Sequence, residues 1–490
     1  MADEDLRAYK FALDLTDAQL SMVRQHAGAA RWAFNHALAI KLAAREQWLA
    51  GVKVLEESGV DAKAAKAQAP KVKIPSKPDI QKALNVVKGD ERVGVEGACP
   101  WWHTVSTYCF QSAFADADRA WQNWMDSLTG KRAGRAAGFP RFKAKNRCRD
   151  SFRIHHNINN PTIRPDSGYR RIVIPRLGSL RVHNSTKRLR RALDRGAVIN
   201  SVTISRGGHR WYASVLTKTE NPIPATTTRR QREAGIVGVD LGVNNMAALS
   251  TGELIPNPRI LKAESPRLKK AQRAFSRTQK GSNRRSRAAR RVGRIHHEIA
   301  ERRATNLHHL TKRLATEWQI IAVEDLNVAG MTASAKGTVD KPGRNVKAKS
   351  GLNRVVLDVS PGEFRRQMEY KTHWYGSRLA VIDRWFPSSK TCSGCGAKAK
   401  LTLADRVYRC ASCGLVLDRD VNAAINIAAQ AVVASDIVGD VKRPLSRPSG
   451  DPSTIGGRES PADVEAGRPP DPGRVVTSTR KRVGHPPQTK

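Results

Sequence analysis

Acidic residues are scarce in this 490-residue chain: 44 Asp and Glu stand against 86 Lys and Arg, a formal net charge of +42 with a pI near 10.7. That excess exceeds what solubility needs and implies a polyanionic partner. Also missing are an apolar run of about 18 residues, a lipidation motif and a basic amphipathic anchor, so a membrane surface is the poorer reading and nucleic acid the better one. The opening MADEDLRAYK carries acids and no apolar core of a signal peptide, so neither export nor organelle import is expected and the cytoplasm is the expected compartment. Cysteine is sparse too, at seven, with Cys99, Cys109 and Cys148 scattered singly. The other four form two Cys-x-x-Cys pairs, which in an intracellular chain point to metal and not to disulfides. The length excludes one ordinary domain, and about three are expected.

Residues 7–14 (RAYKFALD) alternate like a strand, and from a cap at Thr16 apolar residues recur at helical spacing through Leu49. Residues 51–98, with Pro70, Pro75 and Pro78, suggest a looser insertion. A second helix is expected from about Thr104 to Leu128, where Trp121 and Trp124 are three apart and belong to a core, not to a base-stacking platform. GFPRFKAKNR at 138–147 sets Arg141, Lys143 and Lys145 among phenylalanines in an extended stretch, as a phosphate-tracking loop would. Residues 151–216 read as a small all-β module with a hairpin turn at Arg206-Gly207-Gly208-His209. Residues 262–313 hold 17 Lys or Arg against three Asp or Glu in a helical pattern broken near Gly281. A solvated face would need more counter-charge, so Arg284, Arg285, Arg287, Arg290 and Arg291 are candidate phosphate contacts. His308-His309 on the same helix reads as surface. Strands IIAVE and RLAVIDR follow, separated by a loop and a helix near residues 361–375, and a last helix begins near Asp420. Beyond Ala434 the chain holds nine of its 25 prolines and no hydrophobic periodicity, so residues 435–490 are expected to be disordered.

Two constellations carry chemistry. Cys392-x2-Cys395 and Cys410-x2-Cys413 can complete a tetrahedral four-thiolate site; zinc is the expected occupant, iron the weaker candidate, and with no open position the role is structural. Asp240 ends IVGVD, Glu324 ends IIAVE, and Asp420 opens DVNAAINIAAQ. Singly these are a turn residue, a surface charge and a helix cap. Strand ends are, however, where α/β sheets gather ligands, and three converging carboxylates need cations, two hard divalent ions being the natural answer. The order strand, two strands, basic helix, strand, helix, strand, helix matches the ribonuclease H arrangement and favours the functional reading.

GVDLGVNN, IAVEDLNVAGM, SSKTCSGCG with CASCG, and DRDVNAAINI resemble the RuvC motifs and interrupted zinc ribbon of transposon-encoded TnpB proteins and the compact type V CRISPR effectors. The likeness is close over about 236–430, and RAYKFALDLTDAQ, RWAFNHAL and GFPRFKAK extend it more loosely toward the amino terminus. It implies a multidomain α+β chain: a small β-barrel wedge domain from 1–15 and 136–228, a helical recognition lobe at 16–135, and an RNase H-like (RuvC) nuclease domain at 229–387 and 418–434 interrupted by a zinc ribbon at 388–417. It also implies an RNA-guided DNA endonuclease that cuts guide-matched DNA beside a short flanking motif, with guide RNA and target DNA as partners. Asp240, Glu324 and Asp420 would hold Mg²⁺ or Mn²⁺, and the four cysteines zinc. The alternatives are a guide-directed DNA binder or repressor without productive cleavage, against which all three acids are present, and a transposase, against which no tyrosine nucleophile accompanies a His-hydrophobe-His motif.

Overall fold

A computed structural model describes residues 4–434 apart from 133–135, 146, 158, 160–161, 221–224 and 403–404; the tail expected at 435–490 lies outside the described residues. The strand Glu4–Asp14 runs through the middle of a seven-stranded antiparallel sheet, between Arg210–Glu220 on one side and Gly178–Val182 on the other. Outward from these lie Val198–Gly207 and Ser151–His155 on one flank, Arg171–Ile174 and Arg164–Pro165 on the other. The expected hairpin turn is present: Gly207 pairs with Arg210, and Gly208 takes a left-handed φ of 57° between them.

Thr16 caps the helix Asp17–Glu57 reciprocally with Gln19, its hydroxyl accepting from the Gln19 N–H at 3.3 Å while the Gln19 side-chain oxygen accepts from the Thr16 N–H at 3.2 Å. This helix and Tyr108–Leu128 lie on the sheet and share one core with it, Phe34, Leu38, Phe114 and Trp121 packing with Phe152, Ile154 and Ile172. Trp121 is therefore core, as its spacing predicts, and meets Trp124 edge-on at 5.3 Å. Residues 51–98 are more ordered than their prolines suggest. The first helix continues to Glu57, Ala62–Gln68 and Lys77–Val87 are helical, and Val52, Ala65, Ala69, Ile80 and Leu84 are buried. The prolines there fall between helices or, for Pro78, in a first turn where the missing N–H costs nothing.

A second sheet has the order Leu254–Pro256, Asn245–Leu249, Ile236–Asp240, Ile320–Glu324, Arg378–Ile382, the first three antiparallel and the last two parallel to Ile236–Asp240. Its two faces follow from strand alternation. Val237, Val239, Ile321 and Val323 pack under the helices Asn283–Glu317 and Pro361–Tyr375, while Ala322 and Ile382 pack under Arg419–Ala434. Gly238 faces that last helix so closely that a Cβ would sit 1.9 Å from the Ala424 carbonyl oxygen, which is why no side chain fits there. The helix Val346–Val359 stands where a loop is expected. Only Val356 and Val359 of it are buried, whereas Leu352, Val355 and Leu357 are exposed, so its apolar residues do not mark one inward stripe. None of the described helices is long and apolar enough to cross a membrane.

Candidate active site

Asp240 and Glu324 end neighbouring parallel strands whose register pairs Val239 with Val323. Asp240 shares the parity of Gly238, and Glu324 that of Ala322, so both carboxylates project toward the face covered by Arg419–Ala434, and Asp420 lies in the first turn of that helix. The helix start is fixed by Asp418, whose carboxylate accepts from the N–H groups of Asp420 at 2.9 Å and Val421 at 3.2 Å. Asp325, one position past Glu324, is instead ion-paired with Arg384. Alternation thus separates Glu324 from Asp325, and the cap role separates Asp420 from Asp418.

The three acids feel one another. Groups packed around Asp240 desolvate its carboxyl and, with the charges of Glu324 and Asp420 added, push its pKa up to about 8, although part of the side chain still meets solvent. Asp420 is raised as well, by burial first and then by Asp418, against the opposing pull of Arg419 and Arg406. A half-buried trio of carboxylates in which two have raised pKa values is a set that a cation would relieve. The acids are not drawn as tightly as a closed cage. Among the described residues only Cys392, Cys395, Cys410 and Cys413 bring three or more ligand atoms within 4.8 Å of one another.

In that thiol cluster Cys392 Sγ lies 3.6 Å from Cys413 Sγ, and Cys395 Sγ lies 3.6 Å from Cys410 Sγ. A disulfide would need about 2 Å, whereas sulfurs at tetrahedral corners about 2.3 Å from one ion stand a little under 4 Å apart. The donor set fits a bound metal. Each Cys-x-x-Cys turn closes with a glycine in the left-handed region, Gly396 at φ 77° and Gly414 at φ 73°, whose N–H bonds back to the carbonyl of the first cysteine. Tyr408 is fully buried beneath, its hydroxyl donating to the Ala397 carbonyl at 3.2 Å.

Three residues that motif reading passed over tie the two clusters together. Ser388 donates its hydroxyl to Glu324 Oε1 at 2.5 Å. Asn422 and Asn426, one turn apart on the helix that carries Asp420, both donate to the Thr391 carbonyl; Asn422 also accepts from the Ser393 N–H, and Asn426 also donates to the Ser388 carbonyl. Their signal was present as N-x-x-x-N in an otherwise apolar helix.

The candidate phosphate contacts divide. Arg141 and Lys145 are exposed, but Lys143 turns inward with its ammonium 3.7 Å from the Phe34 ring centre, and its backbone is pinned at both N–H and C=O by Asn35. The basic segment is a helical hairpin, Ile260–Ser276 against Asn283–Glu317, with Gly281 at φ 85° in the break. Two of its acids pair with its arginines, within and across the hairpin: Glu264 with Arg267 and Arg302, and Glu298 with Arg267. Arg284, Arg287, Arg290 and Arg291 are exposed and form no ion pair among the described residues. Arg285 differs: its guanidinium donates to the Thr278 carbonyl at 2.8 Å and lies over Phe275, closing the turn. His309 is exposed as expected, but His308 is buried, and burial followed by the nearby Lys371 charge pulls its pKa down to about 4.

Residues 214–335 match the family described as "Probable transposase" of the OrfB_IS605 type, residues 362–427 the Cas12f1-like TNB domain, and residues 1–48 a helix-turn-helix domain, although residues 4–48 form a strand and most of one long helix here. A Mycobacterium tuberculosis protein with the provisional name RNA-guided DNA endonuclease is 34% identical over 468 residues, 93% of each chain. Escherichia coli InsQ, under the same provisional name, is 32% identical over 445 residues, 90% of this chain and 97% of its own. A solved Cas12f1–sgRNA–target DNA complex aligns over 87% of this chain and 99% of that one, at 12% identity and a TM-score of 0.41. With its motif acids at the strand ends, its paired cysteine knuckles and full-length relatives above 30% identity, the chain belongs to the TnpB family of transposon-associated proteins.

Proposed function

We propose that this chain is an RNA-guided, divalent-metal-dependent DNA endonuclease that cuts guide-matched DNA beside a short flanking motif. The observation that carries the reading is the placement of Asp240 and Glu324 at the ends of two neighbouring parallel strands, and of Asp420 at a helix start, on one face of the sheet. In this reading residues 229–387 and 418–434 form an RNase H-like RuvC domain, 388–417 a zinc ribbon, 1–15 and 136–228 a wedge domain, and 16–135 a recognition lobe, acting in the cytoplasm on guide RNA and target DNA. The four cysteines hold structural zinc. Asp240, Glu324 and Asp420 hold Mg²⁺ or Mn²⁺, which when bound supplies an activated water and charge neutralisation for in-line phosphodiester displacement. Arg419 and Arg406, which oppose the rise in the Asp420 pKa, keep that carboxylate toward its ionised, ligating form. The exposed arginines of the helical hairpin, with Arg141 and Lys145, supply affinity through phosphates and carry no sequence information.

The test is cleavage and target binding measured on the same guide-loaded protein. Alanine at Asp240, Glu324 or Asp420 should abolish Mg²⁺-dependent cutting and leave binding nearly intact, because affinity comes from phosphates and base pairing. Alanine at Asp325, which pairs with Arg384 on the other side of the strand, should be milder. Wild-type cutting by the Asp240 variant, or a wild-type protein that binds and never cuts, would replace this reading with that of a guided binder.

A further inference from the structure

Between the thiol cluster and the carboxylates lies a short stretch, residues 388–393, whose polar groups are committed in both directions. On one side, the amides of Asn422 and Asn426 converge on the Thr391 carbonyl at 2.8 and 2.7 Å. Asn422 Oδ1 then reaches the N–H of Ser393, inside the first Cys-x-x-Cys, at 2.9 Å, and Asn426 Nδ2 reaches the Ser388 carbonyl at 2.8 Å. Both amides are buried in a helix whose other inward residues are apolar, a cost that is met only because each finds its partners. On the other side the Ser388 hydroxyl donates to Glu324 Oε1 at 2.5 Å. Glu324 Oε2 has no hydrogen-bond partner among the described residues, so Ser388 fixes one oxygen and leaves the other to a cation.

We propose that Ser388, held through its carbonyl by Asn426, is a positioning residue that sets the orientation of Glu324, so that the cysteine knuckle, Glu324 and the helix of Asp420 move as one unit. The proposal rests on the reading of Glu324 and Asp420 as metal ligands. It gives the cysteine knuckle a second role: beyond stabilising its own turns, it pins the stretch that aims a carboxylate of a separate site. A Glu side chain has three rotatable bonds, and without the hydroxyl its carboxylate would sample orientations that do not present Oε2 to the ion. Partners that orient a ligand in this way are generally worth 10–100-fold in metal affinity or activity.

The experiment measures Mn²⁺ binding by electron paramagnetic resonance on the guide- and target-loaded protein, with cleavage rate, target affinity and zinc content determined on the same samples. Ser388→Ala should shift the Mn²⁺ midpoint to roughly tenfold or more higher concentration, slow cutting at limiting metal with partial recovery at high metal, and leave zinc content and target affinity as in the wild type. Ser388→Thr, which keeps the hydroxyl, should stay close to wild type. An unchanged Mn²⁺ midpoint in Ser388→Ala, or a Thr variant as impaired as the Ala variant, overturns the positioning role. Asp240→Ala is measured alongside: if it too leaves the Mn²⁺ midpoint unchanged, the failure lies in the metal-site reading itself, not in the role of Ser388.

Discussion

A carboxyl whose pKa stands near 8 in the folded protein makes stability depend on pH in a definite direction. Unfolded, Asp240 gives up its proton near the ordinary value of 3.8; folded and without metal it keeps the proton to about pH 8. Between those values the folded state binds more protons, so metal-free protein loses stability as pH rises from about 4 to about 8. A pKa difference of one between the folded and unfolded chain corresponds to about 1.4 kcal/mol, which bounds the effect at several kcal/mol. Asp240→Asn should therefore melt higher than wild type at pH 8 in Mg²⁺-free buffer and show little difference at pH 4. Equal differences at the two values would mean that Asp240 carries no such burden. The sequence displayed Asp240, Glu324 and Asp420 because each ends or begins a regular element. It hid Ser388, since the partner of its hydroxyl lies 64 residues away and nothing local announces the bond.

Among elements, the basic hairpin and the cysteine knuckle are self-contained enough to be tested separately. Changing Arg284, Arg287, Arg290 and Arg291 together to Gln should weaken binding to all sequences alike and reduce the slope of log affinity against log salt by roughly 0.9 for each phosphate no longer neutralised on duplex DNA, or about 0.7 on single strands. Arg285→Gln should act differently, loosening the turn it closes with Thr278 and Phe275, and would be read as a lower melting temperature. Unchanged salt slope in the fourfold variant would return the hairpin to a solvated face. For the knuckle, Cys410→Ser should lose the metal and with it the folding free energy that a structural site supplies; a full zinc equivalent retained in that variant would refute the four-thiolate assignment. The elements that were legible had strong period and punctuation: IVGVD, IIAVE, the Thr16 cap and the Gly281 break. Val346–Val359 was not, because exposed Leu352, Val355 and Leu357 spread its apolar residues around the helix, and the helices at 62–68 and 77–87 were masked by the prolines between them.

At the scale of the whole molecule, the two sheets have separate hydrophobic cores, one shared with the amino-terminal helices and one beneath the basic hairpin, so what joins them need not be apolar. One junction is polar: Tyr212, on a central strand of the first sheet, places its hydroxyl 2.6 Å from His297 Nε2 and 2.5 Å from Glu301 Oε1 on the hairpin, with Lys10 over its ring. Gly208 lies in the same contact, where a Cβ would stand 2.6 Å from that of His297, so the turn of one sheet is shaped to the helix of the other. No sequence pattern reveals this, because Tyr212 and Glu301 are 89 residues apart and each reads locally as an ordinary strand or helix residue. Removing the hydroxyl takes one hydrogen bond from a half-buried carboxylate and leaves the imidazole, 3.1 Å away, and the charge of Lys10 to compensate it. Tyr212→Phe should then cost about 1–3 kcal/mol. If the junction is a true coupling, Tyr212→Phe combined with Glu301→Gln should cost less than the sum of the two single changes by roughly 0.5–3 kcal/mol, the range found for residues that share one network. Denaturant unfolding of the four proteins checks this, and strict additivity would mean that the halves meet there without holding each other.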